Sequence, residues 1–184
     1  IDDSVLKKFK EKLKNIDPKY ENARIEIWRQ NQIISYLQNF PSLRRQILKL
    51  DTVPFFSHED WYNLNKDMQT KFIVGQKQQG FIDKIRDEIR KQDGPVDIRI
   101  VGSPGSGKTK IAHEITAMFD LAPLVIYFES PKLLNDGNFI HRLLRDNNAH
   151  AILVVDECDI HEKRNLWNKI STVSPRVKLV TIYN

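Results

Sequence analysis

Gly102-Ser103-Pro104-Gly105-Ser106-Gly107-Lys108-Thr109 completes the pattern G-x-x-x-x-G-K-[ST], and no other stretch of the chain points as directly to a chemistry. Closely spaced glycines let successive backbone N–H groups turn inward around phosphate oxygens. The lysine adds a cation for the terminal phosphates, and the threonine hydroxyl offers a ligand to Mg²⁺. The expected ligand is a nucleoside triphosphate, held by Gly102, Ser103, Pro104, Gly105, Ser106, Gly107, Lys108, Thr109 and Lys110. A second chemical pair, Asp156 and Glu157, closes the aliphatic run Ala151-Ile152-Leu153-Val154-Val155. Asp156 would join Thr109 in holding the metal, and Glu157 would polarise an attacking water as general base. The alternative role for these acids is to cap the next helix.

Positioning such groups takes a strand before the loop, a helix after it and a second buried strand beside them. Pro95 to Val101 alternates apolar and polar residues, as a strand entering a turn does. From Lys110 to Phe119, Ile111, Ile115, Met118 and Phe119 recur at helical spacing, so a helix N-terminus and its positive dipole end face the loop. The four consecutive aliphatics Ile152 to Val155 predict a central parallel strand covered on both faces. Between these lie a strand, Leu124 to Ser130, closed by Pro131, and a helix from about Asn138 to Asp146. A helix around Glu162 to Ser171 and a strand from Val177 to Asn184 follow. Phe81, Ile82, Ile85 and Ile89 predict a further helix, ending near Gly94-Pro95. Alternating strands and helices predict an α/β fold with a parallel sheet and right-handed crossovers.

The glycine loop, the Ile152 to Glu157 strand and the terminal Thr181-Ile182-Tyr183-Asn184 resemble the Walker A, Walker B and sensor 1 elements of AAA+ and STAND-type ATPases. Upstream, Phe72-Ile73-Val74-Gly75-Gln76 is similar to the segment with which those domains begin, near the adenine, although Gln76 stands where an arginine is usual. The resemblance covers about residues 72 to 184. It implies an ASCE-type P-loop core of strand order 5-1-4-3-2, ATP with Mg²⁺ as ligand, and homo-oligomerisation of the full-length protein. It also implies that Asn184 sits beside the γ-phosphate and orients the lytic water. ATP over GTP follows from the resemblance alone, since Asn168-Lys169-Ile170-Ser171 does not complete a guanine-reading Asn-Lys-x-Asp. The chain starts at Ile1 and ends at Asn184, before the lid, arginine finger and second sensor of such domains, which predicts a piece of a longer polypeptide. Arg164 and Arg176 read as surface arginines.

Residues 1 to 50 form an N-terminal segment that could end an upstream domain. Ser4 to Asn15 predicts a helix with Val5, Leu6, Phe9 and Leu13 inward and its lysines outward. Ala23 to Trp28 reads as a strand, and Gln30 to Asn39 as a helix with Ile33, Ile34 and Leu37 in register, stopped near Pro41. The string Arg24 to Ile34 resembles the closing strand and helix of Mrr-like nuclease domains found ahead of STAND ATPases in bacterial defence proteins, which implies an antiviral setting. Residues 1 to 70 contain no Glu-x-Lys, so this chain alone is not expected to cut DNA. Residues 51 to 71 read as an aromatic-rich linker whose rings fill the edge of the ATPase core.

Composition excludes more than it selects. With 40% hydrophobic and 29% charged residues over 184 positions, the chain can bury a proper core. No apolar run approaches membrane-spanning length. Cys158 is the only cysteine, which rules out an internal disulfide framework and fits a reducing cytoplasm; it reads as a small buried residue. A net charge of +5 admits nucleic acid as a partner without pointing to it, and Lys7, Lys8, Lys10, Lys12 and Lys14 read as a solvated helix face. The histidines show no zinc-ligand spacing with Cys158.

Overall fold

The computed structural model describes residues 3–16, 18, 25, 26, 28–48, 55–64, 69, 72–135, 139–173 and 175–183. The chain divides into two units, Ile1–Ile34 and Ser35–Asn184. In the first, α1 (Asp3–Ile16) turns its lysines to solvent as expected, with Leu6 and Leu13 half-buried. Phe9, expected inward, is exposed. The strand expected over Ala23 to Trp28 is absent at its described residues: Ile25, Glu26 and Trp28 have no regular structure. A lone extended segment has no ladder to satisfy its backbone groups, and among the described residues this unit holds no second strand.

Helix α2 (Gln30–Gln38) straddles the division between the units. Of its expected apolar face only Leu37 is buried, whereas Ile33 and Ile34 are exposed. Pro41 ends that helical stretch and also starts α3 (Pro41–Leu48), because a first helical position has no use for the missing N–H.

The second unit continues through α4 (His58–Leu64), α5 (Gln76–Arg90), β1 (Asp97–Val101), α6 (Lys108–Thr116) and β2 (Val125–Phe128). After these come α7 (Pro131–Asn135), α8 (Phe139–Arg145), β3 (Ala151–Val155), α9 (Ile160–Ile170) and β4 (Val177–Tyr183). The four strands form a parallel sheet in the order β1-β4-β3-β2, with Leu153 opposite both Ile126 and Leu179, and Ile100 opposite Ile182. Alternation along each strand splits the core. Ile126, Phe128, Leu153, Val155 and Leu179 pack on one face with Ile140, Leu143, Leu166 and Ile170 of α8 and α9. Val125, Tyr127, Ile152, Val154, Val180 and Ile182 pack on the other with Trp61, Ile82, Ile89, Ala112 and Ile115 of α4, α5 and α6. Covering on both faces is why β3 reads as an unbroken aliphatic run, and every one of its residues is buried.

Several boundaries differ from the sequence reading. Helix α6 stops at Thr116, so Phe119 leaves the expected stripe and is 87% exposed. In α5 the inward stripe is Ile82 and Ile89, both buried, with Ile85 half-buried between them, and Phe81, one position and about 100° off it, is 48% exposed. Residues 51 to 71 contain a helix, α4, where only a linker was expected, although its aromatics do fill the core: Phe55 and Trp61 are buried. The overlooked signal is Ser57-x-x-Asp60. The Ser57 backbone N–H donates to Asp60 Oδ2 at 3.2 Å, and the Asp60 N–H donates to Ser57 Oγ at 3.2 Å, a reciprocal cap. Arg176 is not a free surface arginine, since it donates to the carbonyls of Leu143 and Ala149. Among the described residues no helix is long and apolar enough to cross a membrane.

Candidate functional site

The loop joining β1 to α6 depends on two glycines in the left-handed region. Gly105 has φ +72° and Gly107, which caps α6, has φ +81°; side chains at either would be strained. Lys108, the first residue of α6, folds back under the loop and is only 7% exposed. Its ammonium donates to the carbonyls of Gly102 at 2.8 Å and Ser103 at 2.7 Å. The cation is thus fixed at the N-terminal end of α6, where backbone N–H groups lack helical partners. Ser103, Pro104, Gly105 and Ser106 form the exposed rim of this loop.

The loops after β1 and β3 meet. Thr109 Oγ1 donates to Asp156 Oδ2 at 3.0 Å, although 47 positions separate the two residues. Asp156 also accepts from the Tyr127 hydroxyl at 3.2 Å, again on Oδ2, and from the Glu157 N–H on Oδ1 at 2.9 Å. A hydroxyl and a carboxylate side by side are hard oxygen donors of the kind Mg²⁺ takes. Among the described residues no group of three or more His, Cys, Asp or Glu gathers as a metal cage, so water and phosphate oxygens would complete such a coordination shell. Glu157 is exposed and has φ 50°, a conformation uncommon outside glycine. Capping of the next helix falls to Asp159, which accepts from the N–H groups of His161 and Glu162, so neither Asp156 nor Glu157 is needed as a cap.

The Lys110 ammonium turns from the loop to Glu114 at 3.4 Å, and lies 5.8 Å from the Tyr62 ring centroid and 6.0 Å from that of Phe72. Any contact of Lys110 with phosphate would therefore be through its backbone. Phe72 and Val74 pack against the core, Gly75 caps α5 and Gln76 begins it. Asn184 lies outside the described residues; Tyr183 before it ends β4, opposite Val101. Cys158 is fully buried, and burial, reinforced by the Glu162 and Asp159 carboxylates, pushes its thiol up to about 12, which makes it unreactive. Tyr127 is the residue the sequence reading missed, for a tyrosine in a buried strand carries no mark of where its hydroxyl ends.

Behind α6 sits a cluster of rings. His58 and His113 stack with centroids 4.0 Å apart, and Trp61 meets His113 edge-on at 5.1 Å. Burial first, then the neighbouring His58 and Lys110, lowers the His113 pKa to about 3, and burial lowers that of His58. Both rings are therefore neutral in the fold. An unfolded imidazole takes a proton as pH falls through about 6.5, while the folded His113 resists until about 3, so stability is lost across that window as pH falls. The melting temperature is expected to drop between pH 7.5 and pH 5, and to drop less in His113→Leu; an equal drop in the variant would assign the effect elsewhere.

No family model matches this chain, and no curated protein matches it. Among solved structures, C. elegans PCH-2 is similar to it, at 16% sequence identity and a TM-score of 0.41, over 61% of this chain and 38% of that one. The chain thus spans well under half of that protein's length. A likeness of that degree says nothing about activity, and the functional reading below rests on the site.

Proposed function

We propose that residues 72 to 184 belong to an Mg²⁺-dependent ATP-binding module of AAA+ or STAND type with an ASCE-type sheet, serving as a nucleotide-controlled switch or motor in a longer multidomain protein. The observation that carries this reading is the 3.0 Å contact between Thr109 and Asp156, which brings the ends of β1 and β3 to one place beside the buried Lys108. Open α/β sheets bind ligands outside the carboxyl ends of their strands. Lys108 would exchange its carbonyl partners for β- and γ-phosphate oxygens, the loop amides would cradle the same phosphates, and Thr109 with Asp156 would hold the metal. Bound there, Mg²⁺ would neutralise charge on the phosphates. Glu157 would orient and deprotonate water, and Asn184 would sense the γ-phosphate.

Binding and turnover separate experimentally. Calorimetric titration of the chain with ATP and MgCl₂ should show one saturable site, and GTP should bind more weakly. Absence of any heat or of nucleotide-dependent thermal stabilisation would remove the assignment. In a form of the protein that hydrolyses ATP, Glu157→Gln should retain ATP affinity and lose about 100-fold in phosphate release, the lower range for a general base. Undiminished turnover would take the water-activating role from Glu157.

A further inference from the structure

Asp156 is gripped by the protein on both carboxylate oxygens, and one of the three donors has no counterpart in the glycine loop or the acidic strand. The Tyr127 hydroxyl reaches Oδ2 at 3.2 Å from β2, the strand beside β3, and shares that oxygen with Thr109. Tyr127 is itself held on three sides. Its strand register places it opposite Val154, two residues before Asp156. Its backbone N–H and C=O both bond Phe56 at 2.9 Å, in an isolated antiparallel bridge. Its ring lies flat on Trp61, with centroids 4.2 Å apart and planes at 9°. A ring packed this way leaves the hydroxyl one direction to point.

We propose that Tyr127 is a positioning residue for the metal-holding carboxylate: its hydroxyl fixes the Asp156 rotamer that meets Thr109, so that Mg²⁺ binds a preformed pair. The proposal rests on the reading of Thr109 and Asp156 as the metal-holding pair. A carboxylate on a loop otherwise samples several rotamers, and ordering it would then weaken metal binding. The segment from Phe55 to Leu64 gains a role as well, because it supplies the bridge and the stack that keep Tyr127 in place.

Tyr127→Phe deletes the hydroxyl and keeps the ring on Trp61, so the core is retained. The experiment titrates Mg²⁺ against the affinity of a fluorescent ATP analogue for the wild-type chain, Tyr127→Phe, Asp156→Asn and the double variant. Tyr127→Phe should need about tenfold more Mg²⁺ for half-maximal effect, with affinity in EDTA unchanged. In the Asp156→Asn background the same substitution should have no further effect, which a general loss of packing would not reproduce. If the wild type responds to Mg²⁺ and Tyr127→Phe titrates identically, or shifts equally in both backgrounds, the positioning role is overturned and the nucleotide site stands. If the wild type binds nucleotide without responding to Mg²⁺, or does not bind it, the parent reading falls, and this one with it.

Discussion

Lys108→Ala is expected to raise the dissociation constant for Mg²⁺·ATP about 1000-fold, equivalent to ~4 kcal/mol. Lys108 is 7% exposed and its ammonium is already oriented, with two donor directions satisfied by the carbonyls of Gly102 and Ser103. A phosphate entering the loop meets a cation whose desolvation and side-chain ordering are settled by the fold. Each charge-assisted bond it then makes contributes about 1.5–3 kcal/mol, and two of them account for the figure. Truncation leaves the carbonyls of the half-buried Gly102 and the exposed Ser103 within reach of water, so the folded state should persist. Calorimetry for affinity, with circular dichroism to verify the fold, checks both halves. A folded variant that binds ATP as the wild type does would show that the phosphates, if bound, lie elsewhere.

Trp61→Ala should destabilise the second unit by about 3–5 kcal/mol, the usual range for removing a buried large aromatic. Trp61 is 1% exposed, stacked on Tyr127 and edge-on to His113, and it shares a cluster with Ile82, Ile89 and Ile115. The indole fills space between α4, α6 and the sheet that no neighbouring side chain can occupy without leaving its own packing. A loss of that size is a large part of the 5–15 kcal/mol typical of a domain. Urea denaturation followed by far-ultraviolet circular dichroism measures it, and Trp61→Phe should lose markedly less. A change below about 1 kcal/mol would show that α4 is a loosely attached strap rather than part of the core.

How much of this was legible beforehand varies with the physics of each element. Strands β2 to β4 were readable because burial leaves runs of mainly apolar residues, and β1 because its apolar and polar residues alternate up to the glycine turn; each falls within the stretch expected for it. Helix ends were less readable. Phe119 fits the periodicity of α6, yet that helix stops at Thr116 and the ring projects into solvent. Helix α4 went unseen because seven residues are too few for a periodic signal, and only its Ser57–Asp60 cap marked it. The segment around Ile25 to Trp28 shows the opposite error, a β-rich composition with no neighbouring strand to pair with among its unit's described residues.

The amino-acid sequence by itself determined the turn geometry of Gly102 to Thr109, since positive φ at Gly105 and Gly107 and a lysine at the helix start are local properties that need no distant partner. Likewise, the aliphatic run of β3 was enough to mark it as central. Only the tertiary structure decided that Asp156 faces Thr109, that Tyr127 shares the same carboxylate oxygen, and that Trp61 braces Tyr127 from a segment more than sixty positions upstream. Those contacts depend on strand order and on which face each crossover helix covers. A one-dimensional pattern specifies the faces an element must bury, and the partner on each face is settled when the whole sheet packs.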